Sequence, residues 1–267
     1  MFPLKTAALP STADALARLL NESLRELFLV TNDPVIVRDA SYPHLAELNV
    51  SLNGAQLLGQ PPSMPSLSSK PTSALEIDFF NIDASALSIG PAAIDLSLSA
   101  TGVNLHQAKD SEENVVLVLH NATQGRVEIS ASPSDFEALI AEVAKSEAGK
   151  HGVTIDSVQL ILRAKSSRSL AAEVRLRAKK LFLSASIRIT GQLDLDEELN
   201  ARISGLNCTG DGAMASVACG VLKPHLQKID GREFPLMSLP LGEIRLRDVQ
   251  LAVDAKLSVT AEFGSAS

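Results

Sequence analysis

The densest chemistry in this chain is basic. Between positions 163 and 188 stand Arg163, Lys165, Arg168, Arg175, Arg177, Lys179, Lys180 and Arg188 against one acid, Glu173, in a protein whose formal net charge is −7. Arg175, Arg177 and Lys179 alternate, which puts them on one face of a strand. Such a row is either the solvated face of a sheet or a patch for anionic headgroups, where each basic side chain contributes about 1 kcal/mol near the surface. Nucleic acid is not the expected partner, because no aromatic residues interleave for base stacking and the chain as a whole is acidic. The other apparent constellations are weaker. Gly210-Asp211-Gly212-Ala213-Met214-Ala215 imitates a dinucleotide-binding loop but lacks a β-α-β context, so it reads as a turn and a helix start. Asp194, Asp196, Glu197 and Glu198 lack the spacing of a calcium loop and read as a solvated hairpin turn. The histidines at 44, 106, 120, 151 and 225 are scattered without metal-ligand spacing. Cys219 has no histidine nearby in sequence, and no G-x-S-x-G elbow occurs. Cys208 and Cys219 could form one bridge, yet two reduced, buried thiols are the expected state, since one pair makes no disulfide framework. The residues thus predict no catalytic group, no metal and no cofactor.

Three amphipathic helices and many strands must position whatever the chain binds. The segment 132–149 (SPSDFEALIAEVAKSEAG) carries the strongest local signal: Ser132 as N-cap, Pro133 at the first helical position and Asp135 closing a capping box. Phe136, Leu139, Ile140 and Val143 then recur at helical spacing. Residues 12–28 form a second helix with Leu16, Leu19, Leu20, Leu24, Leu27 and Phe28 in one stripe. A third helix spans about 212–229, with Val217, Val221 and Leu222 on its apolar side, and Pro224 is expected to kink or break it. Between the helices the period changes to two. Residues 46–52, 75–83, 86–89, 94–100, 115–119 and 126–131 read as strands, as do 153–164, 170–178, 181–195, 199–208, 244–254 and 256–263. Residues 60–72, rich in Pro and Ser, read as a surface loop.

The 267 residues suffice for one sizeable domain, spanning 1–267, with a helix-then-meander pattern that repeats in two halves of about 12–131 and 132–263. Aromatic residues are 3% of the chain, with no Trp and one Tyr, so the core is built from Leu, Ile, Val and Ala. Surfaces of that kind also match acyl chains, because neither partner brings polar atoms that need satisfying. Too few aromatics for a packed sandwich, together with long one-faced strands, predict an α+β fold in which a highly curved antiparallel sheet wraps around long amphipathic helices.

The last third of the chain carries a resemblance. A strand, the helix AMASVACGVLKPHLQ, the loop F-P-L-M-S-L-P-L-G with its Pro240-Leu241-Gly242 turn, and the strand IRLRDVQLAV resemble the LmeA-type phospholipid-binding proteins of the tubular lipid-binding (TULIP) superfamily. The specific residues cover about 205–251, and the pattern of elements covers most of 12–263. The resemblance implies an apolar groove between helices and curved sheet that holds lipid tails. Its implied lining is Leu16, Leu20, Leu24, Phe136, Leu139, Ile140, Val143, Val217, Val221, Leu222, Phe234, Leu236 and Leu239, with Arg175, Arg177 and Lys179 meeting headgroups or a membrane. Family members carry a signal or anchor before the first helix, and no apolar run of that length opens this sequence. The expected location as written is therefore cytoplasmic or peripheral to a membrane, and periplasmic or in the cell envelope if a leader has been trimmed.

The expected function is non-enzymatic binding or carriage of lipid, phospholipid by preference, in an apolar groove near a membrane. The alternative is a structural or protein-interaction domain with a filled core and no ligand.

Overall fold

The first helix forms where its sequence places it. Helix α1 (Ala13–Leu27) is capped by Thr12, whose side chain accepts the N–H of Ala15, with Asp14 in its first turn and Arg25 in its last. Leu16, Leu20 and Leu24, spaced by four, are buried against Leu4, Leu45, Leu75, Ile77 and Val103. Asn21 is buried too, and its amide both donates to the carbonyl of Val35 (3.3 Å) and accepts from the Val35 N–H (2.8 Å). That pair of bonds fixes the helix in register with the start of a strand while leaving no orphaned polar atom.

The structure, a computed structural model, describes all residues except 60–64, 151, 181–182, 239–243 and 266–267. In chain order the strands of the first half are β1 (Phe2–Pro3), β2 (Phe28–Leu29), β3 (Val35–Ser41), β4 (His44–Ser51), β5 (Gln56–Leu57), β6 (Thr72–Ile89), β7 (Ala92–Lys109), β8 (Val115–Asn121) and β9 (Gln124–Ala131). Helix α2 (Pro133–Gly149) leads to β10 (Thr154–Ser166), β11 (Ser169–Lys180), β12 (Leu183–Leu195) and β13 (Asn200–Asp211). Helix α3 (Ala213–Ile229), β14 (Glu233–Pro235), a 3-10 turn at Leu236–Ser238, β15 (Ile244–Val253) and β16 (Leu257–Ser265) complete the chain.

These strands form two sheets among the described residues. The first has eleven strands, with β15-β16-β9-β7-β6-β4-β3 as its main path; the second is the antiparallel order β10-β11-β12-β13-β14. The first sheet is mixed, because β4 and β5 both pair with β6 in parallel. The chain thus leaves the first sheet at α2, builds the second, and returns to the first through β15 and β16, the latter pairing with β9.

This architecture corrects the expected fold class. The chain is mostly β, and its three helices have only 15, 17 and 17 residues. A 17-residue helix is about 26 Å long, whereas each of the 18-residue strands β6 and β7 runs about 60 Å. Among the described residues no long helix is present for a sheet to wrap; α1 packs beside β3 of the first sheet, and α2 and α3 lie mainly against the second. The apolar stripes in the sequence are genuine helical stripes, but each is short and serves a local patch of sheet.

Two further expectations change. The structure joins Cys208 on β13 to Cys219 on α3 in a disulfide with Cα atoms 5.4 Å apart, so the thiols are not reduced. Helix α3 also continues through Pro224 without a break. Gly220, whose carbonyl loses its intrahelical partner at the proline, is exposed, so that oxygen meets water rather than protein. Helix α3 approaches the sheet tightly at Gly210. A Cβ added there would lie 2.6 Å from the Ala215 Cβ and 2.6 Å from the Ser186 carbonyl oxygen. Gly210→Ala is expected to cost about 1–3 kcal/mol by forcing strand and helix apart; a urea-unfolding midpoint equal to that of the parent protein would contradict this packing.

Candidate functional site

Period-two alternation and strand register together build a wide apolar wall. Across β6, β7, β9, β16 and β15, the residues Ile82, Leu98, Val127, Ala261 and Val249 stand directly opposite one another, strand by strand. The next row is Ala84, Leu96, Ile129, Val259 and Leu251. The rows between them are polar, for instance Asp83, Ser97, Glu128, Thr260 and Gln250, and they face the other way. An apolar face five strands wide must be covered or must serve as a surface.

The second sheet has its own apolar face. Val158, Leu176 and Ile187 align in one row, and Leu160, Val174, Ile189 and Cys208 in the next. The two faces meet in one cluster, where Leu170, Leu195, Leu199 and Ala201 of the second-sheet region pack with Val249 and Leu251 of β15. A polar seam runs beside it: Ser167 O accepts the Leu251 N–H at 2.7 Å, and Arg168 meets Asp248 at 2.8 Å. The Gln250 amide and then the Arg168 guanidinium hold the Asp248 carboxyl below its ordinary range.

Away from that cluster the same faces are incompletely covered. Leu96, Leu98, Val127, Val158, Leu160 and Val174 are only partly buried. Ile129 is 45% exposed and its neighbour across the strands, Val259, is 36% exposed, although both belong to the apolar rows. Helix α2 bridges the gap between the sheets. Its N-terminus is pinned to the first sheet because Asp135 accepts the Ala93 N–H at 2.9 Å, and its flank reaches the second because Glu137 accepts the Leu160 N–H at 2.7 Å. The Ser132 side chain, then the Ala93 N–H, keep Asp135 charged below the ordinary carboxylate range.

The helices leave apolar side chains in the open. No residue of α2 is buried; Phe136, Leu139 and Ile140 are half-buried and Val143 is 65% exposed. On α3, Ala215 is fully buried beside Ile187 and Ala185, whereas Val217 and Val221 are largely exposed and Leu222 is half-buried. Of the remaining residues named from the sequence, Leu236 joins the cluster between the sheets and Phe234 is exposed on β14. Leu239 lies outside the described residues. Leu16, Leu20 and Leu24 are buried in the core under α1, against which Leu98 and Val127 of the wall also pack.

The basic row sits elsewhere. Registers place Arg175, Arg177 and Lys179 on the face of β11 that points away from Val174, Leu176 and Ala178. A lipid lying on the apolar rows therefore cannot bring its headgroup to these cations without crossing the sheet. Lys179 pairs with Asp156 at 2.8 Å and Arg175 with Glu173 at 2.6 Å. The residues that sequence reasoning passed over are Ile129, Val259, Val127, Leu96 and Leu98. Their alternation (IDLSLSA, LSVTAEF) was visible, but the pairing that assembles them into one wall was not.

Among the described residues, no group of three His, Cys, Asp or Glu side chains is placed to hold a metal, and no helix is long and apolar enough to cross a membrane. No family model, no curated protein and no solved structure matches this chain.

Proposed function

We propose that this protein is a non-enzymatic binder of lipid that takes acyl tails onto the open apolar wall between its two sheets. One observation carries the reading: Ile129 and Val259 stand side by side in the centre of a five-strand apolar face and are still 45% and 36% exposed. Apolar side chains left open to water in the middle of such a face are costly, and each methylene laid on them returns roughly 0.8 kcal/mol. Leu, Ile and Val make such a wall without any specific polar contact. The resemblance to LmeA-type proteins points to the same ligand class, and kinship with them is part of this proposal; the tubular shape of their superfamily is not. Peripheral contact with a membrane follows from the ligand. The Cys208–Cys219 bridge favours an oxidising compartment such as a cell envelope over the cytoplasm, where bridges of this kind are rare.

Organic extraction of the purified protein followed by mass spectrometry, together with titration of a fluorescent fatty acid, tests the reading. The parent protein is expected to carry or take up lipid. Ile129→Glu combined with Val259→Glu, which puts two carboxylates in the middle of the wall, should weaken uptake by about tenfold or more while the strand signal in circular dichroism persists. A lipid-free protein that refuses the fatty acid would sink the proposal and leave the wall as a surface for a protein partner.

A further inference from the structure

The outer face of the second sheet holds a feature that the lipid reading does not use. Arg175 on β11 and Arg188 on β12 are directly opposite each other in the antiparallel register. Like charges in that position repel. One carboxylate holds both: Glu173 lies 2.6 Å from Arg175 Nε and 3.3 Å from Arg188 Nε, and its side chain is 21% exposed. The hydrogen bond from Arg175, then the charges of Arg175, Arg188 and Arg163, keep Glu173 ionised below its ordinary range. One negative charge thus serves two guanidinium groups.

Arg177, two residues along β11 on the same face, has neither a hydrogen bond nor an ion pair among the described residues. Together with Arg175 and Arg188 it borders a cleft of ≈ 410 Å³ whose other polar groups include the hydroxyls of Ser157, Ser186 and Thr209. Asp211 also reaches this rim, so the carboxylates near the cleft, Glu173 and Asp211, number fewer than its arginines. A cluster of planar, permanently charged forks flanked by hydroxyl donors matches a tetrahedral oxyanion, because guanidinium groups bond such oxygens in pairs.

We propose that this cleft binds a phosphate-type oxyanion through Arg175, Arg177 and Arg188, on the face opposite the apolar wall and independently of lipid uptake. The bound group supplies the negative charge that the opposed arginines lack. Its source is either a free phosphate compound or the exposed phosphate of a membrane lipid, and the cleft's chemistry is the same for both.

The test uses isothermal titration of the full chain with inorganic phosphate, and flotation with phosphatidylcholine vesicles with and without phosphatidic acid. Binding in either arm is expected to fall by about tenfold or more in Arg177→Ala, an exposed position where truncation should leave the fold intact. Arg245→Ala, which removes an exposed cation of β15, should change nothing. Phosphate binding in solution identifies a soluble ligand; binding only to phosphatidic acid vesicles identifies a headgroup. No binding in either arm, equal losses in Arg177→Ala and Arg245→Ala, or binding to an oligonucleotide alone would overturn the assignment.

Discussion

Leu16→Ala is expected to destabilise the protein by about 3–5 kcal/mol, while uptake of lipid per folded molecule stays unchanged. Leu16 is wholly removed from solvent at the centre of the cluster formed by Leu4, Leu20, Leu45, Leu75, Ile77 and Val103. Truncating a leucine in so closed a site forfeits its transfer energy and leaves a cavity that rigid strands on one side and α1 on the other fill only in part. Typical domains are stable by about 5–15 kcal/mol, so the loss is a large share of the total. The second half of the expectation separates two roles for the same residue. If Leu16 lined the ligand path, removing three carbons would enlarge it and shift the preferred tail length; in a closed core the change appears in stability alone. Urea unfolding and fatty-acid titration on the same preparation decide the matter. A midpoint near that of the parent protein, or an altered chain-length preference, would contradict the placement of α1 over a sealed core.

Local order was readable in the sequence because its signals are local. The Ser132–Asp135 capping box forms as read, with the Ser132 side chain accepting the Asp135 N–H and Asp135 accepting the Ser132 N–H. Strands β10 to β13 lie within a few residues of the four alternating segments that predicted them. The alternation of Arg175, Arg177 and Lys179 likewise put them on one face. Alternation, however, names a face and not a partner. Nothing between positions 44 and 89 says that β4 will run parallel to β6, and nothing in residues 257–263 says that they will pair with 125–131, half a chain away. Without those pairings, neither the five-strand wall nor the opposition of Arg175 and Arg188 could be assembled. Periodicity also misleads about scale. A stripe such as Phe136, Leu139, Ile140 and Val143 guarantees an amphipathic helix, but whether it fills a sheet or rests half-exposed between two depends on area elsewhere. Here the strands outnumber what three short helices can cover.

Replacing Cys208 and Cys219 by serine together, or reducing the bridge, is expected to cost about 2–3 kcal/mol and to free α3 before the rest of the second sheet. The two residues are 11 apart, and closing a loop of that size in the unfolded chain accounts for an effect of this order. The local consequence is the sharper one. Helix α3 rests on the sheet through a narrow contact: Ala215 fully buried, with Met214, Ala218 and Cys219 partly buried over Ile187 and Ala185. Val217 and Val221 face outward and add nothing to that grip. Its N-cap, Gly212, offers no side chain to the first turn, and Pro224 removes a bond from its third. A helix so lightly seated depends on the covalent link for much of its protection against local opening. Amide exchange in α3 should therefore accelerate strongly on reduction, while amides of β11 and β12, each hydrogen-bonded to strands on both sides, keep most of theirs. Equal protection of α3 in the oxidised and reduced protein would mean that the apolar contact beneath Ala215 suffices alone, and that the bridge does not hold the helix in place.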